Sequence, residues 1–321
     1  MNKAFPYLVL FLLTNLIFVG LYRHFLLGHA AYMYADIGND SLSSSYPILV
    51  MLSRLFHDGN LTAYDLTAGL GTDISATYLQ YINPIKLMML VFPTAKLPAA
   101  IICSTWVQVN LLALFGCLYF RQMLKNVWAA VVAALCWTYT GYVVLWGQNY
   151  SFLTTILLFT MTLYLLEMVL DGASLKITLW FTPVTALFLL SNYYFLYMTV
   201  VFAVFYVLLR CLFIKVKPLD YLKRIGVLAI LAVGGALMGA ISVPSILSAF
   251  FSSNRTGAVS EAGAAFSRIF WYSPAEYLTM LGRLFSINLF GPGSGYTGAL
   301  NYYEMVELAV SSLFLFALVY L

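Results

Sequence analysis

PYLVLFLLTNLIFVGLY, residues 6–22, is followed after a short spacer by MYADIGNDSLSSSYP, residues 33–47. The first run has about the length that a helix needs to cross a bilayer. No small-x-small cleavage pattern follows it, so it reads as a first spanning helix and not as a signal peptide. The second run then lies just beyond a membrane face. It carries two carboxylates, Asp36 and Asp40, in a chain with only 12 Asp and Glu among 321 residues. A plain reading stands beside a chemical one. Asn39 or Asp40 can cap a helix that starts near Ser41, because a short side-chain oxygen accepts the free N–H groups of the first turn. Capping and chemistry are compatible.

Composition decides the class. Hydrophobic residues make up 63% and charged residues 9%, against about 45–50% and about 25% in a soluble domain. The chain is an integral membrane protein. The net charge of +4 is small and gives no reason to expect a nucleic-acid partner. Cys103, Cys117, Cys136 and Cys211 lie in or beside apolar runs without CxxC or Cys/His spacing, so neither a disulfide framework nor a zinc site is expected. His24, His29 and His57 cluster near the first loop, where solvated or interfacial histidine outweighs a metal site.

Further spans are expected at 98–120, 128–146, 152–170, 177–190, 193–213, 225–244 and 305–321. The result is an all-α polytopic membrane protein with about eight transmembrane helices in a single domain. With the N-terminus in the cytoplasm, the inner ends and loops hold Lys3, Arg121, Lys125, Lys176, Arg210, Lys215, Lys217, Lys223 and Arg224. The short outer loops 147–151 and 191–192 hold no Lys or Arg, which fits the positive-inside rule. Two long outer loops follow, 28–97 and 245–304. No charge is expected mid-helix. Gln108 and Asn110 are intramembrane polar residues suited to interhelical hydrogen bonds.

The first outer loop carries an amphipathic helix. Ile48, Leu49, Leu52, Leu55 and Phe56 recur at helical spacing, with Ser53, Arg54, His57 and Asp58 off that face and Gly59-Asn60 as the stop. It lies either along the membrane surface or on protein. Pro84 to Pro93 is apolar but too short to span, which suits a re-entrant or interfacial piece. In the second outer loop, Arg255, Arg268 and Arg283 either grip a lipid phosphate through bidentate guanidinium contacts or anchor at headgroups. The run Gly291-Pro292-Gly293-Ser294-Gly295 is not a nucleotide-binding P-loop.

Several groups of residues together carry a family resemblance. They are Asn39-Asp40-Ser41 with Tyr46-Pro47, Gly69-Leu70-Gly71-Thr72-Asp73, Asn83-Pro84 before an apolar run ending Phe92-Pro93, Ser191-Asn192-Tyr193-Tyr194-Phe195, and Pro244 followed by Ser253-Asn254-Arg255. Their order resembles the bacterial YfhO family of membrane proteins within the GT-C glycosyltransferase architecture. Two departures stand out. Ser43-Ser44-Ser45 replaces a Gln that the family tends to carry after its acidic residue, and the chain ends inside a hydrophobic run at Leu321 where the family is usually longer. A truncated member, lacking later spans, is therefore the expectation.

The resemblance implies transfer of a sugar from a polyprenyl-phosphate donor to a cell-envelope glycopolymer, teichoic- or lipoteichoic-acid-like, at the outer face of a bacterial cell membrane. It implies Asp40 or Asp36 as general base in an inverting reaction. Arg255, Arg283 and Arg268 would hold the donor phosphate, and Asp73, Asn192 and Tyr193 would contact sugar or acceptor. Membrane lipids are the other expected partners. No metal ligand is assigned, and the cofactor is open, with a divalent metal ion one option. The rival reading is a non-enzymatic transporter or flippase of lipid-linked sugars. Such proteins place polar groups at mid-membrane on broken helices, whereas here they gather in outer loops.

Overall fold

The structure of the chain is a computed structural model, which describes residues 4–33, 41–59, 64–65, 72–73, 86–213, 216–244, 246–247, 274–275 and 277. Among them, five helices are long and apolar enough to cross a membrane: Phe5–Leu26, Thr94–Leu124, Tyr150–Leu170, Tyr193–Arg210 and Pro218–Met238. Two shorter apolar segments, Val127–Thr138 and Leu175–Ser191, stand between them. Together they fall within or overlap the expected spans between residues 6 and 244, although not every expected span is one continuous helix. The expected span 305–321 lies outside the described residues, as do Asp36, Asp40, Arg255, Arg268 and Arg283. The chain is an all-α polytopic membrane protein. The described β structure is one antiparallel ladder of two-residue strands, β1 (Tyr64–Asp65) and β2 (Thr72–Asp73), pairing Tyr64 with Asp73 and Asp65 with Thr72.

Contacts divide the chain into two units, Met1–Thr138 with Gly147–Ser245, and Tyr139–Trp146 with Ile246–Leu321. In the first, helix α1 (Phe5–Leu26) has 22 residues, about 33 Å at 1.5 Å per residue, enough for a hydrocarbon core of about 30 Å. Its buried residues are Pro6, Leu10, Thr14, Phe18 and Tyr22, spaced every four positions, so one narrow stripe faces protein. In the first loop the described helices are α2 (Tyr46–His57) and α3 (Leu87–Val91). Helix α4 (Leu97–Leu124) follows, then α5 (Val127–Thr138). Leu10 of α1 packs with Ala113 and Cys117 of α4 and with Ala130, Val131 and Ala134 of α5. Small residues let these backbones approach, which is how helices associate where lipid removes the hydrophobic drive.

The turn between α4 and α5 is built from two residues. Lys125 ends α4 in the left-handed region at φ 53°. Asn126 Oδ1 then accepts the N–H groups of Trp128 and Ala129 at 2.9 and 3.2 Å, capping α5. The expected span 128–146 is interrupted. Helix α5 stops at Thr138, and α6 (Gly141–Trp146) is a separate six-residue helix of the second unit. Thr138, Thr140 and Gly141 are weak helix formers, and the split falls on them.

Helices α7 (Tyr150–Leu170), α8 (Leu175–Thr178), α9 (Phe181–Ser191), α10 (Tyr193–Arg210) and α11 (Pro218–Met238) complete the first unit. Leu158, Leu165, Leu166, Phe181, Val184, Phe188, Leu228 and Leu231 form their shared core. A Cβ on Gly235 would come within 2.6 Å of the Thr182 carbonyl oxygen, so glycine is what allows α11 to lie against α9. Helix α11 begins seven residues before the expected 225. Pro218 suits a first helical position and Asp220 its positive end, so Lys223 and Arg224 belong to the helix and not to a loop.

Candidate functional site

The helices of the first unit have two polar ends, a loop end where Ser41–Ser45 and Lys86 meet the head of α7, and a basic end at the C-termini of α4, α7 and α10. At the loop end, backbone winding begins at Ser41, where the capping reading places a helix start. It opens as a π-helical turn over Ser41–Ser45 that runs into α2. Wide turns of this kind are frequent at functional sites. Ser41 and Ser45 are buried, and both face the short loop before α7. Ser41 Oγ donates to Gln148 Oε1 at 3.1 Å, and Ser45 Oγ reaches Asn149 Oδ1 at 3.5 Å. The residue after Asp40 is therefore fixed to the head of α7 by a buried hydrogen bond.

The same corner gathers further polar groups. Tyr150 OH donates to the Tyr32 carbonyl at 3.0 Å, which ties the chain leaving α1 to α7. Thr154 Oγ1 donates to Gln108 Oε1 at 2.7 Å, and Gln108 Nε2 donates to Ser104 Oγ at 3.2 Å. Gln108 thus makes the expected interhelical bond. Asn110 does the same, since its Oδ1 accepts Asn15 Nδ2 at 3.1 Å. Lys86, one residue before α3, is wholly buried, and its Nζ donates to Ser151 Oγ at 3.3 Å. Burial disfavours the ammonium and pushes its pKa down to about 7.

Helix α2 packs on α3. Leu49, Leu52 and Ser53 are buried, whereas Phe56 is exposed. The buried face is therefore rotated toward Ser53, whose hydroxyl donates to the Phe92 carbonyl at 3.2 Å. His57 Nδ1 lies 2.7 Å from the Ser53 carbonyl oxygen and Nε2 3.2 Å from that of Val91, closing the contact with α3. The helix is packed on protein, the second of the two arrangements the pattern allowed. Met89 and Leu90 of α3 are buried beneath it.

Of the other assigned residues, Asn192 joins α9 to α10 in extended backbone, and its Oδ1 accepts the Phe195 N–H at 3.3 Å as an N-cap. Tyr193 is exposed. Phe195 meets Phe152 edge to face at 5.3 Å, so this turn neighbours the head of α7. Asp73 lies in β2, paired with Tyr64. Asp36, Asp40 and the three arginines of the second loop fall outside the described residues. Among the described residues no three His, Cys, Asp or Glu side chains form a group able to hold a metal ion.

The basic end contains what sequence reasoning passed over. Glu167 of α7 is fully buried inside the expected span 152–170. Arg210 of α10 clamps it, Nε to Oε1 and Nη2 to Oε2 both at 2.7 Å, and Tyr206 OH donates to Oε1 at 2.6 Å. Arg121 Nη1 donates to Tyr7 OH at 2.6 Å nearby in the same layer of helix ends. Lys86 was missed as well. Its signal was present, a single lysine opening an otherwise apolar stretch between Pro84 and Pro93.

The YfhO profile, described as bacterial membrane protein YfhO, matches residues 11–318. No curated protein and no solved structure matches the chain. The match runs over nearly the whole length, from within α1 through the helices that build both polar ends, and the chain belongs to the YfhO family of bacterial membrane proteins.

Proposed function

We propose that this protein transfers a sugar from a polyprenyl-phosphate-linked donor to a cell-envelope glycopolymer, teichoic- or lipoteichoic-acid-like, with the loop end as its reaction site. Membership of a family associated with membrane glycosyltransferase-like function supports the reaction class. The observation that carries the placement is the buried corner where Ser41, the residue after Asp40, meets Gln148 while Lys86 meets Ser151 three positions on. A carboxylate one position before Ser41 in sequence and a buried lysine beside Ser151 are residue types that serve an inverting transfer, as base and as phosphate-stabilising cation.

The acceptor hydroxyl gives its proton to the carboxylate of Asp40, or of Asp36, as its oxygen bonds to the anomeric carbon. The bond from that carbon to the phosphate oxygen breaks on the opposite face, and the electron pair leaves with the polyprenyl phosphate. Negative charge grows on the phosphate as the bond breaks. A cation fixed in a water-poor corner stabilises it far more than it would in water. Lys86 fills that role in this proposal. Arg255, Arg268 and Arg283 of the second loop remain proposed donor-phosphate ligands by sequence alone. Asp73, Asn192 and Tyr193 remain the proposed sugar or acceptor contacts. The positive-inside pattern puts the loop end outside, at the face where envelope polymers are built.

Asp40→Asn tests the base. Asparagine caps a helix about as well as aspartate, so the variant folds and inserts. Transfer from a polyprenyl-phosphate sugar, measured in membranes at matched expression, is expected to fall about 100-fold, the scale of a lost general base. Normal transfer would make Asp40 structural and leave Asp36→Asn as the remaining form of the proposal.

A further inference from the structure

The basic end holds a cleft of about 430 Å³ lined by Gln122, Met123, Lys125, Asp171, Arg210, Phe213, Val216 and Arg224. That size falls within the range of about 300–1,000 Å³ usual for small-molecule sites. It lies where the C-terminal ends of α4, α7 and α10 meet the start of α11. Three cations and one carboxylate line it. Helix C-termini attract cations, and the protein itself uses only part of the positive charge here.

Arg210 is used by the protein. Its bidentate contact with Glu167 neutralises it below the floor of the cleft. Arg224 is used only in part. Its Nη1 donates to the Leu170 carbonyl, which among the described residues is its one hydrogen-bond acceptor, and a guanidinium has five N–H donors. The group is nevertheless held in place. It lies over Gly172, where a Cβ would come within 2.9 Å of Nη2 and where φ is +80°. Lys125 is the least engaged. It is 69% exposed, and its Nζ lies 3.8 Å from Asp171 Oδ2, a carboxylate that also accepts from Gln122. Such a pair contributes little.

The rim of the cleft is apolar. Met123 and Phe213 line it, and Leu124, Leu212 and Phe213 are exposed beside it. Trp180, also exposed, sits at the start of α9 near this layer of helix ends, as aromatic residues do at a membrane surface. An oriented guanidinium, a mobile ammonium and an apolar rim together suit an amphiphile with a phosphate in its head. Guanidinium matches two phosphate oxygens at once, and basic pockets between spanning helices are a recurrent way to hold anionic lipid headgroups.

We propose that this cleft is a binding site for the phosphate headgroup of an anionic membrane lipid, with Arg224 and Lys125 as its donors. It is separate from the loop end and does not depend on the reaction assigned there. The positive-inside pattern places it in the cytoplasmic leaflet.

The test uses the full chain purified in detergent. Phosphatidylglycerol or phosphatidylcholine is titrated in, and bound lipid is counted by native mass spectrometry. Phosphatidylglycerol is expected to be retained about tenfold better. Lys125→Asn, which keeps a residue tolerant of positive φ, is expected to weaken phosphatidylglycerol about fivefold and to leave phosphatidylcholine unchanged, the effect of one lysine near an anionic lipid. Lys96→Asn, an exposed lysine at the loop end, should change neither. Equal retention of the two lipids, an unchanged preference in Lys125→Asn, or an equal loss in Lys96→Asn would overturn the site. Millimolar inorganic phosphate should leave bound phosphatidylglycerol in place. Its displacement would show that the cleft takes a soluble phosphate and would overturn the lipid assignment.

Discussion

The two ends of the helix layer each bury a charged side chain, a carboxylate at one and a lysine at the other. At the basic end, Glu167 has a full set of partners, two Arg210 nitrogens and the Tyr206 hydroxyl. At the loop end, Lys86 is equally buried, and its Nζ donates to Ser151 Oγ. A neutralised pair fixes helices against one another. Burial disfavours the Lys86 ammonium and lowers its pKa to about 7. Groups whose pKa is shifted by burial cluster at functional sites. On this ground the loop end is the proposed place of chemistry, and the basic end is structural with the proposed lipid cleft at its edge.

The largest expected effect comes from breaking the neutralised end. Arg210→Met removes one partner and leaves Glu167 charged and buried, at a cost on the order of 3–5 kcal/mol. Thermal unfolding in detergent should show a strongly lowered Tm. The double variant Glu167→Leu with Arg210→Met should recover most of that loss, because an apolar pair of similar volume needs no neutralisation. Equal destabilisation in the double variant would mean that the pair does more than balance charge, and the contrast between the ends would weaken.

A smaller effect belongs to Asn192. It caps α10 through Phe195 N–H, and Asn192→Ala is expected to cost about 1 kcal/mol. Asn192→Ser keeps a capping oxygen and shortens the side chain. If Asn192 also contacts sugar, the Ser variant keeps its Tm and loses transfer. If transfer and Tm both stay near wild type in Asn192→Ser, its role is confined to the cap.

The parts of this molecule legible in the sequence are those set by local pattern. The apolar run of α1, the polar break before α10 and the helix stop at Gly59 all follow from composition and turn chemistry. Gly59 does take positive φ, at 66°. The interhelical role of Gln108 was also legible, because an amide within a span has few other uses. What escaped were features set by tertiary contact. Ser53 looked like part of the polar face of α2, yet the Phe92 carbonyl, 39 positions away, draws it inward. Lys86 opens an otherwise apolar stretch, but only the fold brings Ser151 to it. Glu167 was absorbed into a span because nothing near it in sequence announces Arg210, 43 positions on.

The measurement closest to the central claim is sugar transfer by Lys86→Met, set beside its stability. Burial lowers the lysine pKa from 10.5 to about 7, so the unfolded chain binds the proton more readily than the folded one. Stability of the wild type should therefore rise with pH from about 7 to about 10.5. Methionine has similar volume and no charge, so Lys86→Met should match or exceed the wild-type Tm at pH 6 and lose the pH dependence. Transfer from a polyprenyl-phosphate sugar should nevertheless fall about 100-fold, the scale of removing one fixed donor from a developing anion. A stable Lys86→Met protein that transfers sugar at the wild-type rate would contradict the account and leave the loop end without its proposed phosphate-stabilising cation.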